Sequence, residues 1–108
     1  MKSEFIQIST TCDDRDVLEK IAAALVDDKI AACCQLEGPV TSVYCWEGKT
    51  ESAIEFRLLI KTKEELFSQV EKSIASLHSY QQPQITAVRI VATSEGYANW
   101  ICDNTREG

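Results

Sequence analysis

Side chains able to make or break bonds are few in this chain, and their spacing narrows the chemistry further. There is one histidine, His78, and there are five cysteines, Cys12, Cys33, Cys34, Cys45 and Cys102. A thiolate with a neutral imidazole is a donor set for Cu(I) or Zn, but a closed structural zinc site takes four ligands and no CxxC pair supplies two of them. The plainer reading is that His78 ends a helix, where a cation suits the macrodipole, and that the cysteines are small hydrophobes, most of them buried. An odd count without a CxxC pair argues against a disulfide framework. Cys33 and Cys34, adjacent in a strand, point to opposite faces and could bridge only with strain. Catalysis has less support still. Gly38, Gly48, Gly96 and Gly108 occur singly, so no glycine loop cradles a phosphate, and no nucleophile elbow is present. The hydroxyls of Ser9, Thr10 and Thr11 have no base close in sequence. The residues predict a protein that is not an enzyme.

The elements that must position these groups are legible in the hydrophobic pattern. Glu4 to Thr11 reads as a strand, and Asp13 caps a helix that carries Val17, Leu18, Ile21 and Leu25 on one stripe and stops near Lys29. Ala31 to Thr62 reads as one long β-hairpin. Its second arm alternates, with Ser52, Ile54, Phe56, Leu58 and Ile60 on an expected buried face and Glu51, Ala53, Glu55, Arg57 and Lys61 opposite. Gly38-Pro39 interrupts the first arm and predicts a bulge or bend, and Glu47-Gly48-Lys49-Thr50 supplies the connection. Thr62-Lys63-Glu64-Glu65 has the form of a capping box opening a helix through Leu66, Phe67, Val70, Ile74 and Leu77 to His78. Pro83 forbids further helix, Ile85 to Thr93 reads as a last strand, and Ser94 caps a short helix with Tyr97, Trp100 and Ile101 on one side.

The order strand, helix, strand, strand, helix, strand is the split βαβ pattern of an α+β, ferredoxin-like sandwich, here with a long central hairpin and one extra helix. An arm of about 12 residues reaches about 40 Å, whereas a covering helix of about 16 residues spans about 24 Å. The outer half of the hairpin, with Val43, Tyr44, Trp46 and Ile54, therefore outruns its own helices. Neighbouring protomers are expected to cover it, which predicts a closed homo-oligomer.

Composition sets the remaining bounds. The 108 residues make one domain, 1–108, with 44% hydrophobic and 26% charged residues. A net charge of -6 with singly scattered Lys and Arg excludes a nucleic-acid or anionic-membrane partner. The sequence holds no apolar run long enough for a signal peptide or a span, so a cytoplasmic location is expected.

Several runs share one resemblance. Ile30-Ala31-Ala32-Cys33, the stretch Gly38 to Lys49, Leu59-Ile60-Lys61-Thr62, His78-Ser79-Tyr80 with Pro83, and the Tyr97 to Trp100 spacing are together similar to the CutA divalent-cation-tolerance family. The resemblance runs from about Ile6 to Thr105. It implies a ferredoxin-like protomer in a tight homotrimer, non-enzymatic, with a role in tolerance of copper and other divalent cations. It also implies metal ligands of a kind proposed in some bacterial relatives, a Cys near the end of the first strand and two adjacent His at the end of the second helix. Here Thr10 stands at the Cys position and Leu77 at the first His, which leaves Cys12, on the same strand face as Thr10, and His78 as the metal candidates. The family's His-Pro-Tyr-Glu-x-Pro-Glu appears as His78 to Gln84 with both carboxylates replaced by amides, and Arg89 stands where relatives often have Pro. A second expectation is a small-molecule pocket at a subunit cleft, from residues matching family positions: Trp46, Glu55, Lys61 and Tyr80. Against it stands the reading of Glu55 and Lys61 as a solvated face or an ion pair, and of the aromatics as interface anchors. A structural or interaction trimer without a ligand is the third.

Overall fold

A computed structural model describes residues 4–108 as a four-stranded antiparallel sheet with three helices. The elements are β1 (Phe5–Cys12), α1 (Arg15–Asp27), β2 (Cys33–Trp46), β3 (Lys49–Lys63), a single 3₁₀ turn (Glu64–Leu66), α2 (Phe67–Leu77), β4 (Thr86–Ile90) and α3 (Glu95–Asp103). Strand order is β2-β3-β1-β4 with every pair antiparallel, the ferredoxin-like arrangement. Helices α1 and α2 lie against each other and close the main core. Leu18, Ile21 and Leu25 of α1 meet Val70 and Ile74 of α2 above Ile6, Ile8, Leu58 and Ile60 of the strands. Each of these fully buried side chains contributes roughly 1.5–3 kcal/mol relative to exposure. On a smaller second cluster, Ile101 of α3 packs with Phe5 and Ala32.

Local chemistry explains the boundaries, and some differ from the sequence expectation. Asp14, not Asp13, caps α1, its carboxylate accepting from the Asp16 N–H at 2.9 Å. The helix ends in a Schellman arrangement. Lys29 N–H donates to Val26 O and Ile30 N–H to Leu25 O, with Lys29 at φ 57° where glycine is usual. The capping box at Thr62 does not form. Pairing with β1, from Phe5↔Lys63 onward, extends β3 through Lys63, so Thr62 is a buried strand residue whose hydroxyl donates to Ile30 O at 2.6 Å. The last strand is shorter than the apolar run, because β1 begins at Phe5 opposite Ile90 and Val91 beyond it has no rung. Arg89 ties this strand to Glu4 and Glu64 at 3.3 and 2.9 Å and holds the Glu64 carboxyl below the usual range by hydrogen bonding.

The hairpin projects. Glu47-Gly48, both at positive φ, form a two-residue turn between paired Trp46 and Lys49. The register shifts between Glu37 and Val40, where Gly38 sits at φ +133° under the Phe56 ring, so the bend expected at Gly38-Pro39 is present. Cα extents of 47 × 25 × 21 Å record the overhang. Along the overhang the face that is buried further in opens, as the reach of the helices predicts. Leu58 and Ile60 are buried, but Ile54 is 60% exposed and Ser52 is exposed, because α1 and α2 do not reach that far. Among the cysteines only Cys12 is buried. Cys33 and Cys34 are half-buried, Cys45 and Cys102 exposed, and all five are free thiols, which corrects the expectation that most are core.

Candidate functional site

The loop that leaves α2 is stitched to the ends of two strands, and this fixes the candidate residues. His78 is the C-cap of α2, its N–H donating to Ile74 O at 2.8 Å. Its ring then makes two backbone bonds: Nδ1 accepts the Tyr80 N–H at 2.9 Å and Nε2 donates to Thr11 O at 2.8 Å. With a lone pair used on one nitrogen and a proton on the other, the tautomer is Nε2–H. Tyr80, whose ring lies 4.7 Å from that of His78, accepts the Asp13 N–H at 2.9 Å and donates its own proton to Glu55 Oε2 at 2.6 Å. Burial, followed by the bond to Glu55, raises the Tyr80 hydroxyl well above the ordinary phenol range. Cys12 Sγ sits 3.4 Å from Ser79 Oγ and accepts the Asp14 N–H at 3.4 Å.

Cys12 and His78 thus stand at one end of β1, bound into the same loop. A divalent ion is not fitted by them within one chain. Both imidazole nitrogens are taken by backbone, and among the described residues no three His, Cys, Asp or Glu side chains converge as ligands. Cys34 offers no alternative thiolate, since burial, reinforced by Cys33 and opposed by Lys61, pushes its thiol up to about 12.

Three of the four pocket residues do come together. Trp46, Glu55 and Tyr80 line a cleft of about 750 Å³ between the outer hairpin and the loop through Gln84. Lys61 does not join them. It lies six residues along β3 from Glu55, opposite Cys33, and its Nζ donates to Gln35 Oε1 at 2.7 Å. Glu55, expected on a solvated face, is only 6% exposed because Tyr80 closes over it. Sequence reasoning passed over Tyr44, Thr11 and the amides of Gln81, Gln82 and Gln84, which share this lining. The run of amides next to Pro83 reads as an ordinary polar connection, and nothing in it signals that it faces a hairpin more than 25 residues earlier.

An antiparallel ferredoxin-like sheet with an overhanging hairpin and a cleft at its root defines a class of small α+β proteins that the comparisons identify. Residues 6–104 match the family model described as "CutA1 divalent ion tolerance protein". The chain is 37% identical to the divalent-cation tolerance protein CutA of Archaeoglobus fulgidus, across 93% of this chain and 96% of that one. It is 34% identical to the chloroplastic protein CutA of Arabidopsis thaliana across 94% of its own length but spans only 56% of that relative. Among solved structures, CutA1 from the psychrotrophic bacterium Shewanella sp. SIB1 superposes with a TM-score of 0.92 at 34% identity, covering 99% and 100% of the two chains. CutA1 from Oryza sativa gives 0.95 at 29%, covering 99% and 98%. The chain belongs to the CutA1 divalent ion tolerance family.

Proposed function

We propose that this protein is a non-enzymatic homotrimer that serves in tolerance of divalent metal ions, copper among them. The tolerance role rests on the family match across residues 6–104, and the number three on the resemblance to CutA. The observation that carries assembly is the overhanging hairpin, where Val43 is 68% and Ile54 60% exposed on strands with no cover of their own. Copper enters through Cys12 and His78, a soft thiolate and an imidazole, and it must open one of the two backbone bonds of the His78 ring to bind. The metal is therefore weakly held or shared between protomers. A cytoplasmic location accords with five free thiols.

Two measurements test this reading. Expression in a copper-sensitive host should raise the copper concentration that permits growth, and growth equal to that of the empty vector would remove the tolerance role. Calorimetry with Cu(I) and Zn on the purified oligomer should give heats that fall in Cys12→Ser and His78→Ala. Wild-type affinity in both variants would remove those two residues as ligands.

A second reading has a specific observation in its favour. The cleft joining Trp46, Glu55 and Tyr80 is large enough for a small molecule and brings a buried carboxylate to its wall. A ligand-dependent rise in melting temperature, lost in Glu55→Ala, supports it.

A further inference from the structure

Alternation on the hairpin divides its outer half into two faces with different loads. Val40 pairs with Glu55 across β2 and β3, so Glu55 shares a face with Ser42, Tyr44 and Trp46. That face is the floor of the cleft, with Glu55 at its root and Trp46 toward the tip. The opposing wall is Tyr80 and the neutral amides of Gln81, Gln82 and Gln84. Glu55 is thus the only charged residue in the described lining. Its Oε2 is held by the Tyr80 hydroxyl, a neutral donor, and no ion pair among the described residues includes it. A carboxylate 6% exposed and without a cationic partner is an unusual thing to keep at the edge of a cavity.

We propose that this cleft binds an organic cation, an ammonium group set against Glu55 beside Tyr80, with a flat or apolar body lying outward along Tyr44 toward Trp46. The proposal rests on the small-molecule reading of the cleft and names its ligand class. Aromatic faces attract a cation through the ring quadrupole, and the buried carboxylate supplies the counter-charge. An inorganic divalent ion is the poorer occupant, since one carboxylate gives too few ligands and indole and phenol walls give none. The four-residue separation of Tyr44 from Val40, about 13 Å along the strand, calls for a ligand with a body behind its charge.

One scaffold in three charge states, long enough to run from Glu55 toward Trp46, tests this on the intact oligomer: 6-phenylhexylamine, 6-phenylhexan-1-ol and 6-phenylhexanoate. The readout is the Trp46 indole N–H resonance, told apart from that of Trp100 with a Trp100→Phe variant. The amine should bind about tenfold more tightly than the alcohol, and the carboxylate more weakly than either. Glu55→Gln, which keeps the shape and an acceptor for Tyr80, should erase the gap between amine and alcohol. Trp46→Leu, at a half-exposed position on the ribbon, should weaken all three. If amine and alcohol bind alike, or Glu55→Gln leaves their gap intact, the cation proposal falls while the pocket stands. If none of the three moves the Trp46 resonance, the pocket reading falls with it.

Discussion

Tyr80 carries the candidate site on a single oxygen, accepting from the backbone of Asp13 and donating to Glu55. Tyr80→Phe removes both bonds and leaves the Glu55 carboxylate buried without its donor. The expected loss is about 1–3 kcal/mol at neutral pH, read from urea unfolding. The pH dependence has a definite sign. The folded state holds the Tyr80 proton above the ordinary phenol value of 10.0, through burial first and Glu55 second. The stabilisation is therefore complete below pH 10 and is lost as pH rises through the folded value. Tyr97, also raised by burial and by Cys33, falls in the same limb. Tyr80→Phe should flatten the alkaline decline in part, and an unchanged slope above pH 10 would contradict the assignment. Thr10 supplies a second test at this scale. It is fully buried and its hydroxyl has no hydrogen-bond partner among the described residues, so Thr10→Val should raise stability by about 1 kcal/mol in the same assay.

Elements end where backbone geometry lets them, and α1 ends at a lysine in a conformation that glycine adopts more readily. Lys29→Gly should stabilise by up to about 1 kcal/mol, raising the melting temperature, because the Schellman bonds stay while the Cβ strain at φ 57° goes. A lower melting temperature would mean that the Lys29 side chain contributes more than its backbone costs. Such positions mark the limit of what the residues disclose. The periodic stripe Leu18, Ile21, Leu25 and the alternation ending in Leu58 and Ile60 made α1 and the inner hairpin legible, and with them the ferredoxin-like order. The capping box at Thr62 misled because its motif is local, whereas pairing of β1 with Lys63 is not. Exposure of Ile54 was legible from length: alternation says which residues share a face, and the reach of the arm against that of a helix says where cover ends. The meeting of Tyr80 with Glu55 was reached only through resemblance, and Lys61 was wrongly included because strand position alone does not separate it from Glu55.

The whole molecule is two regions with different needs, a closed sandwich and a ribbon that extends past it. One face of the ribbon is the cleft floor. The other carries Thr41, Val43 and Cys45 paired with Ile54, Ser52 and Thr50, and among these Ile54 and Val43, which also borders the cleft, are the apolar load. In the proposed homotrimer this second face meets the neighbouring protomer, and its burial drives association at roughly 25 cal/mol for each Å² of apolar surface removed from water. Light scattering should give three times the mass of one chain for the wild type and one chain for Ile54→Lys, which sets a charge among apolar contacts. Thiol labelling supplies an independent measure, because Cys45 lies on that face and Cys102 is exposed on α3, far from the hairpin tip in sequence and fold. In the wild type Cys102 should react quickly and Cys45 slowly, and in Ile54→Lys both should react quickly. A wild-type monomer at micromolar concentration, or Cys45 reacting as fast as Cys102 within an intact oligomer, would place the neighbour elsewhere and leave the ribbon's apolar face open to water.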